Sequence, residues 1–125
     1  MATLEKLLET RILDWLNSLS ECFAFKINTT GIYDAKRKVW RKNNGRHIHN
    51  GTCDIFGVID KQFFGIEVKA GYNKPSADQI KFMGRIKLAN GITFWTNDFQ
   101  KCKIAFLKHF PDAKSKDDLL FSEIL

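Results

Sequence analysis

A chain of 125 residues with 44% apolar side chains, eleven Phe and three Trp has the length for one domain, residues 1–125, and enough apolar bulk for a sizeable core. Its 20 Lys and Arg against 14 acids leave a net charge of +6, which suits a polyanionic partner and argues against an acidic, solvating chain. No apolar run approaches the ~20 residues of a membrane helix, and the opening MATLEKLLET has acids where a secretory leader has basic and then apolar residues, so a soluble, cytoplasmic protein with no membrane partner is expected.

Leu4, Leu7, Leu8, Ile12, Trp15, Leu16 and Leu19 recur at helical spacing behind Thr3, a good N-cap, and predict an amphipathic helix over 4–19. Glu5 and Glu9 lie one turn apart beside that stripe. They read first as acids favouring the helix dipole, and alternatively as long side chains reaching into a neighbouring site. CFAFKIN, 22–28, reads as a strand and 29–31 as a turn. From Ile32 to Asn50, Tyr33, Lys36, Arg37, Lys38, Trp40, Arg41, Lys42, Arg46, His47 and His49 share nineteen residues with one acid, Asp34. Cations interleaved with flat rings suit phosphates and bases. Tyr33, Lys38, Trp40, Arg41, Lys42 and Arg46 are therefore nucleic-acid-binding candidates, with His47 and His49 on the groove's edge.

Next, Asp54 opens an apolar run to Ile59, Asp60-Lys61-Gln62 reads as a turn, and Phe63–Lys69 completes a β-hairpin. Gly71–Pro75 is a loop, Ser76 an N-cap for a helix over 77–89 with Ile80, Met83, Ile86 and Leu88 on it, and 92–95 a buried strand. Lys74 and Lys81 flank the start of that helix as phosphate contacts. Asp98 caps a last helix, 99–109, expected to pack Phe99, Cys102, Ile104 and Phe106 inward, and Pro111 stops it. The tail ends in an apolar Leu119–Leu125, expected to dock on the core or on a second subunit. Cys22, Cys53 and Cys102 are odd in number and lack C-x-x-C spacing, so they read as small buried hydrophobes rather than a disulfide or zinc framework.

Charged side chains rarely occupy buried strands for structural reasons. Period-two alternation puts Glu67 and Lys69 on one face of their strand with Val68 on the other, and Asp54 begins the neighbouring strand. Two carboxylates and an ammonium group in one space suit phosphodiester hydrolysis assisted by Mg²⁺ or Mn²⁺. Such an ion takes oxygen ligands, one or two carboxylates and the substrate phosphate among them. Asp54 and Glu67 would hold it with the Val68 backbone carbonyl, and Lys69 would orient or deprotonate the attacking water or neutralise the transition state. An ordinary Glu67–Lys69 ion pair on an exposed strand fits the same two residues.

The run GTCDIFGVIDKQFFGIEVKAG resembles the core of the PD-(D/E)XK nucleases, with Asp54 as the first acid and Glu67-Val68-Lys69 as the E-x-K. More narrowly it is similar to the stand-alone VRR-NUC branch of phages and bacteria. Gly51, Asp54, Gly57, Ile66, Glu67, Val68 and Lys69, then Ser76 and Gln79, match that branch's order of hairpin and S-x-x-Q helix. Glu5 and Leu16 match its first helix, Glu9 falls where many members have Gln, and the likeness spans roughly residues 4–97. It implies an α/β fold with a restriction-endonuclease-like core, a mixed central β-sheet flanked by helices. It implies a DNA endonuclease with catalytic Asp54, Glu67, Lys69, Gln79 and Glu5, Glu5 also being a candidate metal ligand. Gln79 would hold the attacking water or a phosphate; by itself it also reads as a surface residue.

A homodimer acting on branched DNA such as a four-way (Holliday) junction, in a bacterial or phage-infected cell, is the further implication, since paired cuts need paired sites. Flap or general endonuclease action would use the same residues, and a non-catalytic nucleic-acid-binding module of this fold is the reading from another class. The intact Asp54, Glu67 and Lys69 argue against that last reading. Asn90-Gly91 replaces the family's Gly-Gly, and Thr96-Asn97 stands where a Ser is usual; both swaps are chemically mild, since Asn tolerates positive φ.

Overall fold

The computed structural model describes residues 3–27, 32–41, 47, 49 and 51–118. Thr3 caps helix α1, Leu4–Asn17, accepting from the Lys6 N–H at 3.2 Å. The helix stops two residues short of the expected Leu19, because the Ser18 and Leu19 N–H groups close back on Trp15 and Leu16 carbonyls. Leu19 is then free to bridge Ser115. Strand β1, Cys22–Lys26, follows; β2, Ile32–Asp34, and β3, Val39–Arg41, form a separate antiparallel ribbon. Strands β4, Ile55–Ile59, and β5, Gln62–Val68, make the hairpin. Its turn is the two residues Asp60 and Lys61, at φ 44° and 71°, the left-handed pair that matches strand twist, so Gln62 belongs to β5. Helix α2, Ala77–Leu88, strand β6, Ile92–Thr96, and helix α3, Phe99–His109, complete the domain.

The fold is α/β. A four-stranded mixed sheet runs β1-β4-β5-β6, antiparallel except for the parallel β5–β6 pair that α2 connects, and helices flank it. That arrangement is compatible with a restriction-endonuclease-like core. One sheet face carries Ala24, Ile55, Ile59, Phe64, Ile66 and Val68, all buried with Ile12 and Leu16 of α1 and Cys102 and Phe106 of α3. Gly57 belongs to this core by what it lacks: a Cβ there would stand 2.4 Å from the Phe64 ring. Helix α2 covers part of the other face, packing Met83, Phe82 and Ile86 on Phe56 and Cys53. Beyond its cover Phe23, Phe25, Val58 and Phe63 remain exposed.

Several apolar side chains turn out differently from their sequence reading. Ile104 is 61% exposed, because Cys102 and Phe106, four apart, define the inward stripe of α3 and Ile104 falls between them on the far side. Leu4 and Leu7 lie beyond the sheet's edge of α1 and face solvent, as do Ile80 and Leu88 on α2. Trp95 is exposed although β6 is otherwise well covered, since it shares the α2 face of the sheet but lies past that helix. Cys53 and Cys102 are buried and Cys22 partly so. Burial pushes the Cys53 and Cys102 thiols up to about 12, which leaves them unreactive. Asn90 adopts φ 68° at the end of α2, the left-handed conformation its short amide tolerates.

The free edge of β1 is partly closed. The Ile27 N–H bonds the Asp54 carbonyl and the Asp60 N–H the Glu21 carbonyl, so odd-numbered residues of β1 turn their backbone toward β4 and even-numbered ones turn it outward. Ala24 is at the centre of that outward set. Its N–H donates to Asn17 Oδ1 at 2.9 Å and its carbonyl accepts from Asn17 Nδ2 at 3.0 Å, so the last residue of α1 imitates a neighbouring strand.

Candidate active site

The charged residues singled out in the hairpin meet at one end of the sheet. Asp54 directly precedes β4 and Oδ2 accepts the Val68 N–H at 2.9 Å, which fixes the first acid against the strand that carries the second. Glu67 is 1% exposed on β5. Lys69, one residue past the strand, brings Nζ within 3.6 Å of Glu67 Oε1 and is tied by its own N–H to the Thr96 carbonyl. Val68 between them turns its side chain into the core, as alternation requires.

Helix α2 supplies the next piece. Ser76 and Gln79 form a reciprocal capping box. Gln79 Oε1 accepts the Ser76 N–H at 2.8 Å, while Nε2 donates to Glu67 Oε1 at 2.9 Å. Both ends of this amide are therefore engaged within the protein. Gln79 thereby fixes Glu67 to the start of α2, and its second Nε2 hydrogen remains a donor for a water or phosphate. Gly51 permits the close approach: a Cβ there would come within 2.6 Å of the Asp78–Gln79 backbone.

Helix α1 contributes Glu5 and Glu9, two of its three acids. Carboxylate oxygens of Glu5, Glu9 and Asp54 lie within 4.8 Å of one another. Glu9 is buried and paired with Lys26 Nζ at 2.9 Å, whereas the Glu5 carboxyl is raised above its ordinary range by burial first and by Asp54 second, with Lys69 opposing. The choice between Glu5 and Glu9 is thus not exclusive. Lys26 was not legible as a site residue; only the β1–β4 register, which sets Lys26 opposite Ile55 beside Asp54, reveals it. Trp95 is the other omission, lying opposite Glu67 across the β5–β6 pair and on the same face.

Glu67 is electrostatically the most perturbed group. Burial, then hydrogen bonding to Asp54 and the Asp54 charge, push its carboxyl up to about 9, with Lys69 acting in the other direction. Ionised, it has a buried Oε2 with no hydrogen-bond partner among the described residues, a costly state unless a cation lies alongside. The carboxylate oxygens that converge closely enough to hold a divalent metal ion are those of Glu5, Glu9 and Asp54; Glu67 lies outside that group of three.

The expected nucleic-acid contacts are distributed unevenly. Tyr33, Trp40 and Arg41 fall on the β2–β3 ribbon and Lys38 in its connection, where Lys38 is exposed at φ 55°. Lys42 and Arg46 lie outside the described residues, as does the apolar tail from Leu119. Lys74 and Lys81 are exposed on either side of Gln79. Lys81 also lines a groove of about 850 Å³ with His49, Phe82, Arg85 and Lys87. No family model matches the chain and no curated protein matches it.

Proposed function

We propose that this protein is a metal-dependent DNA endonuclease that hydrolyses phosphodiester bonds, with a preference for branched DNA such as four-way junctions, and that it belongs with the PD-(D/E)XK nucleases of the VRR-NUC branch. The observation that carries this reading is Glu67: a buried carboxylate, anchored by Gln79, beside Asp54 and Lys69, with one oxygen that finds no hydrogen-bond partner among the described residues. A structural ion pair would leave no such oxygen, and burying a charge at this level has a large cost without function. The basic balance of the chain supports a polyanionic substrate.

In this mechanism Asp54 and Glu67, with Glu5, Glu9 and the Val68 carbonyl as further donors, would hold Mg²⁺ or Mn²⁺. The ion, when bound, supplies charge for the phosphate oxygens and lowers the pKa of a water. The chain's own residues do the remaining work. Gln79 keeps Glu67 in one rotamer, Lys26 neutralises Glu9 so that the cluster does not expel a substrate phosphate, and Lys69 Nζ carries positive charge to the phosphoryl oxygens and orients the attacking water. Water adds to phosphorus and the bond to the leaving sugar oxygen breaks. Two copies related by a twofold axis would set two such sites on one junction, with Lys38, Arg41, Lys42, Arg46, Lys74 and Lys81 on the phosphates and Tyr33 and Trp40 on sugars or bases.

The test is a cleavage assay on four-way junction, flap, duplex and single-stranded DNA in Mg²⁺ and Mn²⁺, with the mass in solution measured alongside. Asp54→Asn and Glu67→Ala are expected to lose cleavage by at least about 10²-fold, the scale of removing a group that stabilises transition-state charge, while still binding DNA. Retained cutting by both variants overturns the assignment; binding without cutting by the unaltered protein supports a non-catalytic module instead.

A further inference from the structure

A cleft of about 300 Å³ opens beside the catalytic cluster, between the start of α1 and the turn that follows Lys69. Leu4, Leu8 and Phe99 give it apolar walls, Arg11 lies in it with its guanidinium 4.0 Å above the Phe99 ring, and Gly71 and Asn97 close one side. Three features distinguish it from an ordinary surface dent.

The first is its place. Leu4 adjoins Glu5, and Ala70, also on the lining, adjoins Lys69, so the cleft is one residue removed from the reacting groups on both sides. The second is that the turn forming its lip is held in shape: the Asn73 N–H closes on the Ala70 carbonyl at 3.2 Å, and Asn97 Nδ2 donates to the Gly71 carbonyl at 3.2 Å. Gly71 takes φ 58° with nothing within 4 Å of where a Cβ would be, which keeps the mouth open. The third is what this anchored turn presents. Tyr72, at its tip, stands fully in solvent, and Leu4 across the cleft is 77% exposed. Asp98 and Gln100 also line the cleft, so a phosphate would meet an acid there, with the one lining cation, Arg11, already stacked on Phe99.

We propose that this cleft is a nucleobase subsite, receiving one unstacked base adjacent to the cleaved phosphate, with Tyr72 stacking at its lip; this rests on the nuclease reading above. An Arg plane over Phe99, an aromatic at the lip and apolar contacts from Leu4 and Leu8 are chemistry that holds a base by stacking, with Asn97 and Gln100 as polar groups beside it. A base inside continuous duplex cannot enter, so the subsite selects substrates whose strands part at the cut, which gives a preference for branches a physical cause.

The experiment uses the full chain on a junction and a flap in which successive nucleotides near the cut are made abasic, comparing the unaltered protein with Leu4→Trp, which fills the cleft, and with Tyr72→Ala and Tyr72→Trp. One abasic position is expected to lower kcat/KM about tenfold, the scale of losing one stacked base. Leu4→Trp should cost a similar factor on intact DNA and nothing further on the abasic substrate, and Tyr72→Trp should restore what Tyr72→Ala loses. Absence of any sensitive position, or abasic and Leu4→Trp effects that multiply, overturns the subsite while leaving the nuclease standing. Failure of the unaltered protein to cut any substrate overturns both.

Discussion

The two faces of the central sheet are built to different rules. Toward α1 and α3 the middle of the sheet is apolar and sealed by Ala24, Ile55, Ile59, Phe64, Ile66 and Val68, with Lys26 reaching Glu9 at its margin. Toward α2 the same strands carry Phe56 and Thr93 under the helix, Glu67 beside Asp54 and Lys69, and Phe23, Val58 and Phe63 partly in the open. Glu67 and Val68 are chain neighbours on opposite sides of this division. The sealed face provides the stability that lets the other hold a carboxylate in a state water would not impose.

The difference can be broken most forcefully at Phe64. Phe64→Ala should cost about 3–5 kcal/mol, since the vacated volume is bounded by Phe106, Phe110 and Ala24 and cannot readily collapse; denaturant unfolding measures it. The next effect concerns Glu67 and has a sign. Its folded-state pKa of about 9 lies above the ordinary 4.5, so the native state retains a proton that the unfolded chain releases. Stability is fully present below pH about 4.5 and is lost as pH rises through about 9, by up to about 1.4 kcal/mol per pH unit. Glu67→Gln, which keeps an acceptor for Gln79, should remove most of that slope and melt higher than the unaltered protein at pH 8 without divalent ions. Added Mg²⁺ or Mn²⁺ should raise the melting temperature of the unaltered protein more than that of Glu67→Gln; equal shifts would detach the ion from this carboxylate. The smallest effect belongs to the open face, where Phe63→Ser should cost about 1 kcal/mol, mainly the stacking on Phe56. A loss approaching that of Phe64→Ala would mean the face is covered in solution.

What the sequence discloses follows the same division between local and long-range causes. Ser76 and Asp98 as caps, the α3 boundaries and the hairpin are written in adjacent residues, because caps and turns act over three or four positions. The shared face of Glu67 and Lys69 follows from strand parity alone. Lys26 reaches Glu9 only because β1 pairs β4 in one register, and the anchoring of Glu67 by Gln79 depends on α2 starting beside β5, which no local pattern states. Ile104 misled because an apolar side chain on a helix does not by itself state which way the stripe runs. The unspent oxygen of Glu67 was illegible for the same reason: it is defined by which neighbours fail to arrive.

The Asn17 amide on the edge of β1 bears on assembly. Two copies joined edge to edge through antiparallel β1 strands would place a twofold axis perpendicular to the sheet, and centred pairing would need the outward N–H and carbonyl of Ala24, which Asn17 already occupies. Sheet extension into a continuous ribbon, the route by which exposed edges nucleate fibrils, is therefore obstructed at its midpoint. Asn17→Ala would uncover a self-complementary edge and turn a side chain with no part in the chemistry into a determinant of solubility.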